Sequence, residues 1–152
     1  MQEFDVIVLG GGASGLMCAL TAGQRGKRVL VLDSSNKIGK KILMSGGGRC
    51  NFTNYIVEAD NFICDNAHFV KSALKQYSQW DFINLVQQYE IPFHERDHGQ
   101  LFCDDSANDI LTMLKAECEK VNVDIRSKLN QYYVNYDNQH RRIMARRTGY
   151  FM

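Results

Sequence analysis

The apolar run Phe4-Asp-Val-Ile-Val-Leu-Gly-Gly-Gly-Ala-Ser-Gly15 places glycines at 10, 12 and 15 and opens directly into a helix-forming stretch. This spacing constrains the chain more than any other feature. Gly10 permits a tight turn off a strand. Gly12 keeps a Cβ away from whatever the turn faces, and Gly15 lets the helix lie against the strand. Such a turn aims bare amides and a helix N-terminus at one point, where a pyrophosphate fits. Ala19 continues the close packing one turn later, and Gly26 suits the residue after the helix, where positive φ is needed. Lys27-Arg-Val-Leu-Val-Leu-Asp33 then supplies a second strand that ends in a carboxylate, 18 positions after Gly15. A β-α-β unit of this kind is the minimal half-site for a dinucleotide. It sets Gly10, Gly11, Gly12, Ala13, Ser14 and Gly15 around the pyrophosphate, with Asp33 and the adjoining Ser34 at a ribose. The charge on Asp33 disfavours a 2′-phosphate there.

Bulk properties narrow the class. The 152 residues suffice for one domain with a core, and a net charge of +1 argues against a polyanion binder, so no nucleic-acid partner is expected. The charge is uneven: residues 141–152 carry +4 in Arg141, Arg142, Arg146 and Arg147, and the remainder carries −3. Five cysteines at 18, 50, 64, 103 and 118 form no CxxC pair, and no basic leader or long apolar span appears. A cytoplasmic chain with free thiols and no membrane contact is the expectation.

Periodicity predicts a buried parallel strand over 4–9, a helix over 13–25 and a second strand over 29–32. Residues 34–54 read as a long irregular loop with a function. A helix capped by Asn66 is expected over 67–78, and another over 80–89, stopped by Pro92. Residues 93–102 suggest a hairpin centred on His98-Gly99, 106–121 a helix, and 123–125 and 131–136 two short strands. A partner strand should follow the turn at Asp137-Asn138. The sequence after Gln139 shows no strand or helix period.

The loop over 34–54 holds a second glycine cluster, Gly39-Lys-Lys-Ile-Leu-Met-Ser-Gly-Gly-Gly-Arg-Cys-Asn-Phe-Thr-Asn54. Three consecutive glycines let backbone pass close to something flat or anionic. Arg49 and Lys41 can neutralise phosphate charge, Arg49 with a bidentate fork. His94, His98 and Cys103 do not make a zinc site, because Pro92 and Gly99 break the helix that His-x3-His would need. Cys50 lacks a redox partner and reads as a packing or cofactor-lining thiol. The tyrosines at 132, 133 and 136 read as strand packing, and the tail arginines as a solvated or aberrant end.

The first motif resembles the N-terminal signature of flavoproteins with two dinucleotide-binding domains. Gly39-Lys-Lys with Ser45-Gly-Gly-Gly-Arg-Cys-Asn-Phe-Thr-Asn54, and Gly99-Gln-Leu-Phe-Cys103 with Ser106, Ala107 and Ile110, are more specific. They resemble the bacterial family known as HI0933-like or YhiN-like, which includes proteins called aminoacetone oxidase-like and bile-acid reductase-like. The resemblance spans roughly residues 4–130. It implies an α/β fold: a Rossmann-like FAD-binding domain with a parallel sheet, truncated, plus part of an inserted helical and hairpin segment. Residues 1–139 would be the N-terminal portion of the domain, and 140–152 an atypical basic tail from a truncated product or a shifted reading frame.

The resemblance further implies non-covalent FAD. Gly10 to Gly15 would hold its pyrophosphate and Asp33 its adenosine ribose. Lys41 and the segment Ser45 to Asn51, with Gly48, Arg49 and Cys50, would run along the extended cofactor. The implied activity is an FAD-dependent oxidoreductase that takes hydride from NAD(P)H and reduces a small organic substrate or oxygen. No residue stands out as a catalytic acid or base. Three alternatives stay open: an NAD-binding dehydrogenase domain, a relative of tRNA-modifying flavoproteins, and a non-catalytic fragment.

Overall fold

The N-terminal apolar run divides at Asp5. Gln2–Phe4 forms one strand (β1) and Val6–Leu9 another (β2). The amides of Asp5 and Val6 both donate to the carbonyl of Arg28, at 2.9 and 3.2 Å. The Arg28 guanidinium in turn donates to the Asp5 carboxylate and holds its pKa down at about 2. This corrects the single buried strand expected over 4–9. Val6, Ile7 and Val8 are half-buried and Leu9 is 69% exposed; among the described residues β2 has a neighbouring strand on one side, β3.

A computed structural model of the chain describes residues 2–66 and 68–128, with the backbone of two further strands at 132–137 and 142–147. The chain continues from β2 into helix α1 (Ala13–Gln24), which buries Leu16, Ala19 and Leu20. A Schellman motif ends it: Gly26, at φ 75°, donates to the carbonyl of Gly23, and Lys27 to that of Ala22. Val29–Asp33 (β3) follows, and its first four residues are buried, as a strand covered on both faces requires.

The segment expected to be irregular over 34–54 is mostly ordered structure. It holds helix α2 (Lys40–Met44), a 3-10 turn at Ser45–Gly48, and strand β4 (Asn51–Asn54). Helix α3 (Lys71–Gln76) is shorter than the 67–78 expected, because Asn66 caps an Asx turn, with His68 N–H donating to Asn66 Oδ1 at 3.0 Å. Helix α4 (Gln79–Gln88) starts at a Ser78–Asp81 capping box. Phe93–Glu95 (β5) and Gln100–Cys103 (β6) make the expected hairpin, with His98 and Gly99 both at positive φ in its turn. Helix α5 (Ala107–Lys120) and strands β7 (Asp124–Ser127), β8 (Tyr132–Asp137) and β9 (Arg142–Arg147) complete the described chain.

Two compact units result. The first combines Met1–Ile42 with Leu114–Met152, and the second is Leu43–Met113. The first holds a parallel sheet in the order β2-β3-β7 and an antiparallel sheet in the order β1-β9-β8. The second holds the antiparallel sheet β4-β6-β5 together with α3 and α4. Strand β9 corrects the sequence reading that gave no period to the chain after Gln139. Ile143 pairs with Phe4 on one side and Tyr136 on the other. The expected turn residue Asn138, and residues 148–152, lie outside the described residues.

Candidate dinucleotide site

The glycine turn leaves the carboxyl end of β2 and crosses toward β3. Gly10 has φ 106° and donates its amide to the Leu32 carbonyl at 2.7 Å. The Gly11 amide donates to Asp33 Oδ2 at 2.7 Å, and the Gly11 carbonyl accepts from Gly39 N–H at 2.8 Å. A Cβ on Gly15 would stand 1.9 Å from the Gly10 carbonyl oxygen, so the helix meets the turn at backbone contact. Gly12 differs: a Cβ there would meet no atom within 4 Å. Its glycine is not needed for packing within the protein, and the space before it is open. Leu16 N–H makes the first intrahelical bond of α1, to the Gly12 carbonyl. The amides of Gly12, Ala13, Ser14 and Gly15 find no acceptor among the described residues. Unsatisfied donors at a helix N-terminus, facing open space, form an anion cradle. These residues therefore fit the pyrophosphate of a dinucleotide.

Asp33 sits at the end of β3 and already has three partners. Besides Gly11, Asp33 Oδ1 accepts from the Ser35 amide at 2.8 Å and the Ser35 hydroxyl at 2.6 Å. The Ser35 hydroxyl, opposed by some burial and aided by the Ser35 and Gly11 amides, holds the carboxyl below its ordinary pKa. A carboxylate offers about four acceptor positions, so one remains for a sugar hydroxyl. Ser34 is exposed, and it is Ser35 that grips Asp33. Sequence reading missed Ser35, although Asp followed two residues later by Ser at a strand end is a signal for such a turn. Lys41 is exposed on α2.

In the second unit, Gly46 and Gly47 take left-handed conformations at φ 56° and 65°, and Gly48 follows at φ 90°. A Cβ on Gly46 would lie 2.7 Å from the Phe102 ring and 2.8 Å from the Asn51 amide. This turn requires glycine for its own geometry. It presents Arg49 and Asn51 to solvent and buries Cys50, with Cys50 N–H donating to the Ser45 carbonyl at 3.1 Å. His94 pairs with Asp104 at 2.5 Å, and Cys103 is buried on β6. Among the described residues, no three His, Cys, Asp or Glu side chains are placed to hold a metal ion, and no helix is long and apolar enough to cross a membrane.

Residues 4–150 match the family described as HI0933-like protein Rossmann domain. The chain belongs to the HI0933-like family. The match reaches past residue 130, where the resemblance visible in the sequence stops, and takes in β8 and β9. Among curated proteins, the chain is 56% identical over 126 residues to the ribosomal RNA dihydrouridine synthase of Escherichia coli, covering 83% of this chain and 32% of that protein. It is 52% identical over 132 residues to the protein of the same name from Haemophilus influenzae, covering 86% of this chain and 33% of that one. The HI0933-like chain thus spans about a third of the length of these relatives. Its fold resembles 3-ketosteroid-delta4-(5alpha)-dehydrogenase from Rhodococcus jostii RHA1, with a TM-score of 0.60, 15% identity, and coverage of 96% of this chain and 42% of the other. The fold is the α/β, Rossmann-like FAD-binding type, with a parallel sheet and an inserted helical and hairpin segment.

The cysteines give a direct check on this HI0933-like chain. Cys18 and Cys64 are exposed, whereas Cys50, Cys103 and Cys118 are buried. Burial raises all three buried thiols: Cys103 to about 12, Cys118 to about 11, and Cys50 upward against an opposing hydrogen bond with Ser45. The thiolate is the reactive form. A thiol reagent at mildly alkaline pH should therefore modify two of the five cysteines quickly and the other three only after unfolding. Fast modification of Cys50 in the folded protein, located by peptide mass analysis, would contradict this packing.

Proposed function

We propose that this chain supplies the FAD-binding domain of a flavoenzyme that reduces uridine in ribosomal RNA, with NAD(P)H as the electron source. The observation that carries the cofactor assignment is the open cradle at Gly12, with the unbonded amides of α1 beside a turn fixed by Asp33. The RNA assignment rests on the name shared by the relatives at 56% and 52% identity. It partly fits the tRNA-modifying alternative from the sequence, with ribosomal RNA in place of transfer RNA, and it departs from the expectations of a small-molecule substrate and no nucleic-acid partner.

The chain's own residues have defined tasks in this reading. The amides of Gly12, Ala13, Ser14 and Gly15 bind the pyrophosphate. Asp33 holds the turn through Gly11 and offers its remaining lone pair to the adenosine ribose. Lys41 and the loop at 45–51 enter as cofactor ligands through the family pattern. FAD, when bound, supplies the two-electron chemistry, and the protein binds and orients it.

Two measurements test the proposal. The purified chain, dialysed with FAD, should retain flavin absorbance in the blue. A colourless protein that binds no FAD in calorimetry rejects the cofactor assignment. Deleting the coding sequence from the organism that carries it should remove dihydrouridine from ribosomal RNA, read by mass spectrometry of nucleosides. An unchanged nucleoside profile rejects the RNA assignment and leaves the cofactor assignment standing.

Asp33→Ala should weaken FAD binding by about 1–3 kcal/mol, the usual cost of removing a charged hydrogen-bond partner. Because the folded pKa of Asp33 is depressed, its contribution is present above the ordinary carboxylate range. It is lost as pH falls through the folded value. Wild-type affinity should therefore decline in acid more steeply than that of the variant, as followed by equilibrium dialysis.

A further inference from the structure

Residues 69–80 of the second unit carry exposed aromatic rings and two exposed lysines that the dinucleotide site does not use. We propose that this stretch binds single-stranded RNA, with the Trp80 indole stacking on a base and Lys71 and Lys75 meeting backbone phosphates. The inference rests on the RNA-directed reading above and states where this unit grips such a substrate.

Trp80 is 52% exposed, yet it is not a loose side chain. It lies in the first turn of α4, which the Ser78–Asp81 capping box fixes. Its ring stacks on Tyr55, with centroids 5.7 Å apart and planes 27° from parallel. The neighbouring Gln79 side chain donates to the Tyr55 carbonyl at 3.1 Å, tying the start of α4 to the end of β4. The result is a rigid aromatic pair with half of the indole in water. Just before α3, Phe69 is 74% exposed. Lys71 and Lys75 are four apart on α3 and so share one face. Both are exposed, and neither forms an ion pair among the described residues.

Over residues 69–80, exposed aromatic rings therefore flank two lysines along the chain. Proteins that bind single strands combine these two components: rings take bases of any identity, and cations track the phosphates. An apolar partner protein would not need the lysines. Glu58, Asp60 and Asp65 lie in the loop before α3, so the cations of this stretch are Lys71 and Lys75.

The chain has one tryptophan, so its emission reports on Trp80 alone. The probe is a short fluorescein-labelled oligouridylate, titrated into the full chain. We expect the Trp80 emission to be quenched as the probe's anisotropy rises. Trp80→Ala should weaken binding roughly ten- to a hundredfold, and Trp80→Phe should restore most of the affinity. The double variant Lys71→Gln, Lys75→Gln should flatten the plot of log affinity against log salt by about 1.4, at about 0.7 per lost phosphate contact. FAD retention should be unchanged in every variant.

Wild-type binding with the same affinity and salt slope in all variants overturns this assignment and leaves the RNA reading intact. No RNA binding by the wild type overturns both. A concentration-dependent dimer in sedimentation that Trp80→Ala abolishes, with RNA affinity untouched, shows the stretch to be a protein interface and overturns the RNA assignment.

Discussion

Gly12→Val should abolish measurable FAD binding while leaving the fold intact. A valine Cβ at this position meets no protein atom within 4 Å. The backbone, at φ −84° and ψ −171°, is extended and suits a β-branched residue. The cost to folding is therefore limited to replacing a tolerated N-cap by a poor one, about 1 kcal/mol or less. The cost to binding is much larger. The branched side chain occupies the space that a pyrophosphate needs to reach the α1 amides, and several charge-assisted hydrogen bonds fail together. A loss of about a hundredfold or more follows from such bonds at roughly 1.5–3 kcal/mol each. Calorimetry with FAD and a thermal melt on the same sample check both halves. Unchanged affinity removes this corner from the cofactor site.

Gly15→Ala, three residues away, should give the opposite pattern. Its Cβ would sit 1.9 Å from the Gly10 carbonyl oxygen and 3.0 Å from the Gly10 carbonyl carbon. These are backbone atoms, so no side-chain rotation relieves the clash. Helix α1 must move off the turn, and Leu16, Ala19 and Leu20 lose their seat in the core. Overpacking commonly costs 1–3 kcal/mol, and a backbone overlap of this depth belongs at about 3 kcal/mol or above. Chemical denaturation should show a large fall in the midpoint before any ligand is added. The pair thus separates two reasons for glycine in one motif: Gly15 serves the fold, and Gly12 serves what the fold holds.

The β-α-β unit is legible in the sequence because its determinants are local. Gly15 and Gly26 answer to steric demands set by neighbours a few residues away. The Ser78–Asp81 capping box at the start of α4 is equally local, although periodicity places residue 78 in the preceding helix and opens the next at 80. What escapes sequence reading depends on distant partners. The break at Asp5 exists because the Arg28 carbonyl takes two consecutive amides. Strand β9 lacks clean alternation, since Arg142, Arg146 and Arg147 obscure it, and it is specified by pairing to both β1 and β8. The site follows the same division. The glycines and Asp33 are readable. That Ser35 rather than Ser34 grips the carboxylate, and that Gly46 is forced by the Phe102 ring, requires the third dimension.

The register of β3 has a temporal meaning as well. Leu30 stands in register on one side with Ile7 of β2, its near neighbour in the chain, and on the other with Asp124 of β7, beyond the whole 43–113 unit. A ribosome releases the first pair long before the second. The nascent chain therefore carries an apolar strand with one bare edge until the later segment emerges, a period of exposure in which chaperones or wrong partners compete for it.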